Sequence, residues 1–304
     1  MNCFLLAEYG GRRTYGVRTL IAMSVLLHPL ICPCLARPDD VRRKIELGDI
    51  LAVRKAFRHG NVDWALAPDG QTPLGCAISK EVVPSVRELL ALGADPNKPT
   101  LPDGGATTLL LAVTKNQGTT IVRMLLAHGA HPDGAGVRSS TLTMAAFRRK
   151  PDFIQVLLRA GANPNWQDRK FGATPLQMAA LSGDTRTCVL LLHHGAKVSL
   201  QTKDGQTALN AAAQGLAPNI VALLLSKGAD PNHAGHDGCT PLIDAVRESP
   251  SNQKAAVMVV TMLIRHGADP ALKDKSGKSA IDFAGGDALQ REALVGPVHS
   301  VYPK

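Results

Sequence analysis

Thr174-Pro175-Leu176-Gln177-Met178-Ala179-Ala180-Leu181, followed by Thr185-Arg186-Thr187-Cys188-Val189-Leu190-Leu191-Leu192-His193-His194-Gly195-Ala196, decides the fold. Thr174 has the short hydroxyl side chain that satisfies a free N–H at a helix start, and Pro175 suits the first helical position because the missing N–H is not needed there. Leu176 and Ala179 are three residues apart and share one helix face, where the small alanine lets a neighbouring helix come close. The second run is apolar through Leu190-Leu191-Leu192 and stops at Gly195, the residue that most readily takes the left-handed conformation ending a helix. These residues predict two short helices back to back, and neither could bury its apolar face alone.

The same pattern recurs along the chain. Gly-Ala stands at Gly93, Gly129, Gly161, Gly195, Gly228 and Gly267, with spacings of 36, 32, 34, 33 and 39 residues. A Thr or Ser two residues before an aliphatic, with Ala three further on, recurs in phase. The copies are Thr72/Leu74/Ala77, Thr107/Leu109/Ala112, Ser140/Leu142/Ala145, Thr174/Leu176/Ala179, Thr207/Leu209/Ala212, Thr240/Leu242/Ala245 and Ser279/Ile281/Ala284. Self-similarity with a period near 33 residues predicts stacked units sharing a continuous core. Between units, Asp95-Pro96-Asn97, Asn163-Pro164-Asn165 and Asp230-Pro231-Asn232, with Asp-Gly at Asp69, Asp103, Asp204 and Asp237, supply the turn chemistry of a projecting loop.

On these residues the chain resembles the ankyrin repeat family, whose unit carries a T-P-L-H-x-A signature. The resemblance implies an all-α repeat solenoid of stacked helix-turn-helix units with β-turn fingers, in a bacterial-type, exported protein. It departs from the signature at one position, because the His after Leu is replaced by Gly75, Leu110, Thr143, Gln177, Asn210, Ile243 and Asp282. In the family that His ties successive fingers, so the resemblance implies a stack less rigid than a consensus array.

The helical half of most units has a fixed length, 19 positions from Leu176 to Gly195, whereas Leu242 to Gly267 spans 25. The surplus falls at Ser249-Pro250-Ser251-Asn252-Gln253, a composition that predicts a bulge between two helices. The expected organisation is a signal peptide over 1–36, a divergent N-terminal capping repeat over 37–68 and about six repeats over 69–275. A partial C-terminal cap and tail occupy 276–304, where Asp287, Gln290, Arg291 and Glu292 let the last helices face water.

Arg12, Arg13 and Arg18 precede the apolar run Leu20 to Cys32, and Cys34-Leu35-Ala36 places small residues where a signal peptidase reads. The expectation is cleavage after Ala36 and a periplasmic or secreted mature chain starting at Arg37, without a membrane span. The alternatives are a cytoplasmic chain, or one anchored by an uncleaved N-terminus. Cleavage would remove Cys3, Cys32 and Cys34, leaving Cys76, Cys188 and Cys239 in separate units, too far apart to pair.

Nothing in the spacing points to an enzyme. His59, His128, His194 and His266 each precede a helix-ending Gly, where a partly protonated ring favours the negative end of the helix dipole. His193-His194 and His233 with His236 have no Cys or carboxylate partner at ligand spacing, so neither metal nor cofactor is expected. Gly285-Gly286 lacks the Lys-Ser/Thr of a phosphate loop. Aromatics make up only 4% of the chain, which fits thin helical layers rather than a globular enzyme core.

The sequence therefore predicts a non-catalytic surface for a protein partner. Residues 138–170 carry +5 of the chain's +9, from Arg138, Arg148, Arg149, Lys150, Arg159, Arg169 and Lys170 against Asp152 and Asp168, a density that steers an acidic surface. Nucleic acid is disfavoured because no aromatic stacking pattern accompanies the charge. The resemblance implies binding at finger tips and at the exposed ends of first helices. The positions are Lys80, Lys115, Phe147, Arg148, Arg149, Lys170, Phe171, Leu181, Gln214 and Arg247, on a chain expected to be a monomer. Phe147, Arg148, Arg149, Lys170 and Phe171 form the expected hot spot, since exposed aromatics beside Arg are common interface anchors.

Overall fold

The computed structural model describes residues 38–58, 61–63, 71–100, 106–115, 118–134, 140–248, 252–285 and 288–295. The leader-like segment 1–36, His59 and the Asp69 and Asp103 turns lie outside them. The described residues form sixteen helices in eight pairs and no strands. The pairs are α1 (Pro38–Leu47) with α2 (Ile50–Phe57), α3 (Pro73–Ser79) with α4 (Val83–Ala91), and α5 (Thr108–Thr114) with α6 (Thr119–Ala127). Next come α7 (Thr141–Phe147) with α8 (Pro151–Arg159), α9 (Pro175–Leu181) with α10 (Thr185–His193), and α11 (Ala208–Gln214) with α12 (Pro218–Ser226). The last pairs are α13 (Pro241–Arg247) with α14 (Gln253–Arg265), and α15 (Ala280–Ala284) with α16 (Ala288–Val295). Each first helix packs on its own second helix and on the first helices of adjacent units, and the second helices form a parallel layer in the same way.

Two side chains per unit carry this stacking. Leu74, Leu109, Leu142, Leu176, Leu209 and Leu242 are buried, and so are Ala77, Ala112, Ala145, Ala179, Ala212 and Ala245 three residues later. Removing one such leucine from water is worth roughly 1.5–3 kcal/mol, and it is realised only when the neighbouring unit is in place.

From α3 onward each first helix starts at a hydroxyl cap. Thr174 Oγ1 accepts from Gln177 N–H at 3.2 Å, and Ser140, Thr207 and Thr240 act alike. The Gly-Ala pair has a specific reason. At Gly195, φ is +85°, its N–H donates to Leu192 O at 3.1 Å, and the next N–H, of Ala196, donates to Leu191 O at 3.0 Å. This arrangement satisfies the last helical carbonyls and folds Ala196 back toward Leu191. His194 adds to the cap, its Nδ1 donating to Leu190 O at 3.0 Å, and His128 and His266 do the same to Met124 O and Met262 O.

The Asp/Asn-Pro-Asn turns do more than reverse the chain. Asn165 Nδ2 donates to Gly195 O at 2.9 Å and its Oδ1 accepts from Lys197 N–H at 2.8 Å, so one unit's turn clamps the next unit's helix end. Asn97 and Asn232 repeat both bonds to the units that follow them.

Two expectations need correction. Four of the six surplus residues of the sixth full unit lengthen α14, to 13 residues against 9 in α12, with Asn252 capping it through a bond from Ala255 N–H; the other two fall in the connection after α13, whose residues 249–251 lie outside the described residues. Asn252 ends the turn composition one residue earlier than the sequence suggests, and the apolar run beyond it supports an extra helical turn. The expected loosening from the missing His also fails at the centre. Gln177 Nε2 donates to Leu200 O and Gln206 O, both at 2.9 Å, and Asn210 Nδ2 donates to Cys239 O at 3.3 Å, so two amides tie successive units.

Thr141 marks a local defect. Its hydroxyl is buried without a partner, whereas Thr108 at the same repeat position donates to Pro96 O and three other units carry Pro there. Ser140 already has the extended backbone, φ −70° and ψ 152°, that a following proline requires. Thr141→Pro is therefore expected to stabilise the chain by about 1 kcal/mol. Thermal unfolding followed by circular dichroism checks it, with a midpoint rise of roughly 2–4 °C expected.

Candidate protein-binding groove

The central fingers are held rigidly. Asp168, nearly buried, accepts from Lys170 N–H at 2.9 Å and Phe171 N–H at 2.7 Å through one oxygen, and from Ala173 N–H at 2.6 Å through the other. A carboxylate holding three amides fixes the loop that presents Lys170 and Phe171. Successive fingers are joined by backbone bonds: Lys203 N–H to Phe171 O at 2.8 Å, His236 N–H to Asp204 O at 2.7 Å and Lys275 N–H to Asp237 O at 2.9 Å. This approach needs glycine. At Gly238, φ is +82°, and a Cβ would stand 2.8 Å from Lys275 N.

Between these fingers and the first helices α7, α9 and α11 lies an open groove of about 400 Å³. Met144, Phe147, Met178, Leu181 and Ala211 form its helix side, and Lys170, Phe171, Thr202, Asp204 and Gln206 form its finger side. Phe147 is 58% exposed, Phe171 54% and Leu181 38%, an unusual grouping in a chain with few aromatics. The Lys170 ammonium sits 4.6 Å from the centre of the Phe171 ring.

The structure thus brings Phe147, Lys170, Phe171, Leu181 and Gln214 to one groove. Arg148 follows Phe147 at the end of α7 and is exposed beside it. The other expected residues are placed elsewhere. Arg149, in the turn after α7 with φ +56°, lines a separate depression with Ser182, Leu216 and Asn219. Lys80 pairs with Glu46 at 3.4 Å, and Lys115 is exposed at the end of α5, both outside the groove lining. Arg247 is engaged between its own unit and the next, donating to Cys239 Sγ at 3.3 Å with its guanidinium 5.5 Å from the Phe283 ring centre on α15. Sequence reasoning missed Met144 and Met178, although both stand two residues after the repeat leucine and so share its register.

Titratable groups elsewhere serve the frame. Arg54 and Glu88 form a two-bond ion pair, 2.7 and 3.0 Å, between the first two units, and the guanidinium holds the carboxyl below its ordinary range. Burial pushes the Cys188 and Cys239 thiols up to about 12, assisted by Asp184 and Asp237 respectively, so neither forms a reactive thiolate at neutral pH. Asp244 on α13 is pushed up to about 6, mainly by burial and against the hydrogen bond from Asn210, with Asp237 adding repulsion. Among the described residues no group of three or more His, Cys, Asp or Glu could hold a metal ion. No helix among them is long and apolar enough to cross a membrane.

Stacked helix pairs with finger loops and an open groove define a repeat-type protein-interaction module. Residues 44–134, 142–235 and 188–274 match the family described as "Ankyrin repeats (3 copies)", and the chain belongs to the ankyrin repeat family. It is similar to mouse "Ankyrin repeat and SOCS box protein 16", 31% identical over 232 residues that cover 73% of this chain and 49% of that protein. It is also similar to mouse "B-cell lymphoma 3 protein homolog", 31% identical over 197 residues, 62% of this chain and 42% of the relative. The chain thus spans about half or less of these relatives. The crystal structure of the ankyrin repeat domain of Bcl-3 superposes with a TM-score of 0.62 at 26% identity, covering 75% of this chain and 99% of that one. Members of this family are generally non-enzymatic modules that bind proteins.

Proposed function

We propose that this chain is a non-catalytic monomer that holds a partner protein against its concave face and finger tips, with the groove between α7, α9 and α11 as the anchor. The observation that carries this reading is the exposure of Phe147, Phe171 and Leu181 together on a rigid frame. The basic surplus over 138–170 supports a partner with an acidic surface. Affinity capture from cell fractions, with the chain and with a Phe147→Ala/Phe171→Ala variant, tests it. Both side chains are more than half exposed, so helical circular dichroism is expected to stay unchanged while captured proteins are lost. Equal capture by the two forms would overturn the assignment.

For location, export to the periplasm or outside the cell is the favoured reading, supported by Arg12, Arg13 and Arg18 ahead of the Leu20 to Cys32 run. A second reading, an intracellular regulator or secreted effector with an uncleaved N-terminus, is favoured by His28-Pro29 interrupting that run. Mass measurement of the mature chain separates them: a start at Arg37 supports cleavage, and retention of residues 1–36 supports the second reading.

A further inference from the structure

We infer that the central groove takes an extended acidic peptide segment of the partner, one large apolar side chain entering between Phe147, Phe171 and Leu181 and an adjacent Asp or Glu meeting Lys170 and Arg148. This rests on the binding-module reading and narrows it to an occupant. Three observations point the same way.

The first is size. A groove of about 400 Å³ lies at the small end of ligand sites, room for a few side chains of a segment laid across it. The second is the helix-side lining. Met144 and Met178 lie beside Leu181 and Ala211, and unbranched, polarisable methionines adapt to an inserted apolar group without demanding one shape. The third is the arrangement of charge. Arg169 and Lys170 belong to the first finger, and Lys203 leans back onto it, its Nζ donating to Arg169 O. Arg148 is exposed at the end of α7. Further along the same finger side the lining carboxylate is Asp204, on the next finger. Asp168, the other acid in the lining, is already held by three amides.

The groove is therefore positive at the Lys170 end and negative at the Asp204 end. That polarity orients a peptide whose acid lies to one side of its apolar anchor. A continuous run of phosphates would meet Asp204 instead, which disfavours a single-stranded nucleic acid despite the aromatic rings.

The test is selection of randomised peptides, displayed on phage, on the immobilised full chain, followed by anisotropy measurements on the selected sequences as synthetic peptides. The inference expects Leu, Met or an aromatic with Asp or Glu on one side. Affinity should fall at least ~tenfold on Phe171→Ala and on Lys170→Glu. Replacing the peptide's acid with Lys should recover binding to Lys170→Glu and not to Phe171→Ala. Selection of peptides without an acid, affinity indifferent to both variants, or displacement by oligothymidylate would overturn it. If no peptide is selected while Phe147→Ala/Phe171→Ala still loses its captured proteins, the peptide inference falls and the module reading stands. If capture is indifferent as well, both fall.

Discussion

Gln177→Leu is expected to destabilise the stack by about 2–4 kcal/mol, because it removes bonds to three backbone groups at once and only Gln206 O keeps another, from Thr202 N–H. The side chain is 2% exposed; its Oε1 accepts from Thr174 N–H at 2.7 Å, and its Nε2 donates to Leu200 O and Gln206 O, both at 2.9 Å. Leucine fills nearly the same volume, so the loss reports the hydrogen bonds rather than a cavity. Gln177→His, which installs the residue of the family signature, can still donate to the next finger and should recover much of the loss. Denaturant unfolding of the three proteins checks this. Equal stability of the Leu variant and the parent would show that the central fingers are held by something other than this amide.

Asp244→Asn is expected to act in the opposite direction and only above mildly acid pH. The folded chain holds this carboxyl at about 6, above its ordinary value of 3.8, so folding favours the protonated form. Its favourable contribution is complete below about pH 4 and is lost as pH rises through about 6. At neutral pH the buried charge, repelled by Asp237, costs on the order of 3 kcal/mol. Asparagine carries no charge and can still accept from Asn210 Nδ2, which stands 3.0 Å from Asp244 Oδ2. Unfolding midpoints measured against pH should show the variant above the parent at neutral pH and level with it near pH 4. A constant gap across that range would remove titration as the cause.

Most of the fold is legible in sequence because each unit repeats one local solution. Thr174, Leu176, Ala179 and Gly195 have roles fixed by hydroxyl capping, face periodicity and left-handed geometry, and the structure assigns them those roles. The bonds between units are harder to read. Asn165 has the composition of a turn residue, and nothing local says that its amide reaches Gly195 O in the next unit. Gln177 looked like a lost histidine because the signature names one residue, while the geometry asks only for a donor and an acceptor of suitable reach.

The candidate site divides along the same line. Phe147, Leu181 and Gln214 end first helices in equivalent register, so one rule places all three beside the groove. Arg149 fits the charge pattern in sequence and Arg247 the helix-end register, but the structure turns both elsewhere, the first by its own left-handed backbone and the second toward Cys239 and Phe283. Met144 and Met178 are not legible as site residues in sequence, because an apolar residue in a first helix reads as core until its place in the groove lining is seen.

Hydrogen exchange of the full chain, free and saturated with a captured partner, tests the central claim most directly. Protection is expected to rise over 143–147, 168–173, 178–181 and 202–214, with the second helices α8 and α10 unchanged. Protection confined to α8 and α10, with those four stretches exchanging as before, would place the partner on the opposite face and contradict the groove.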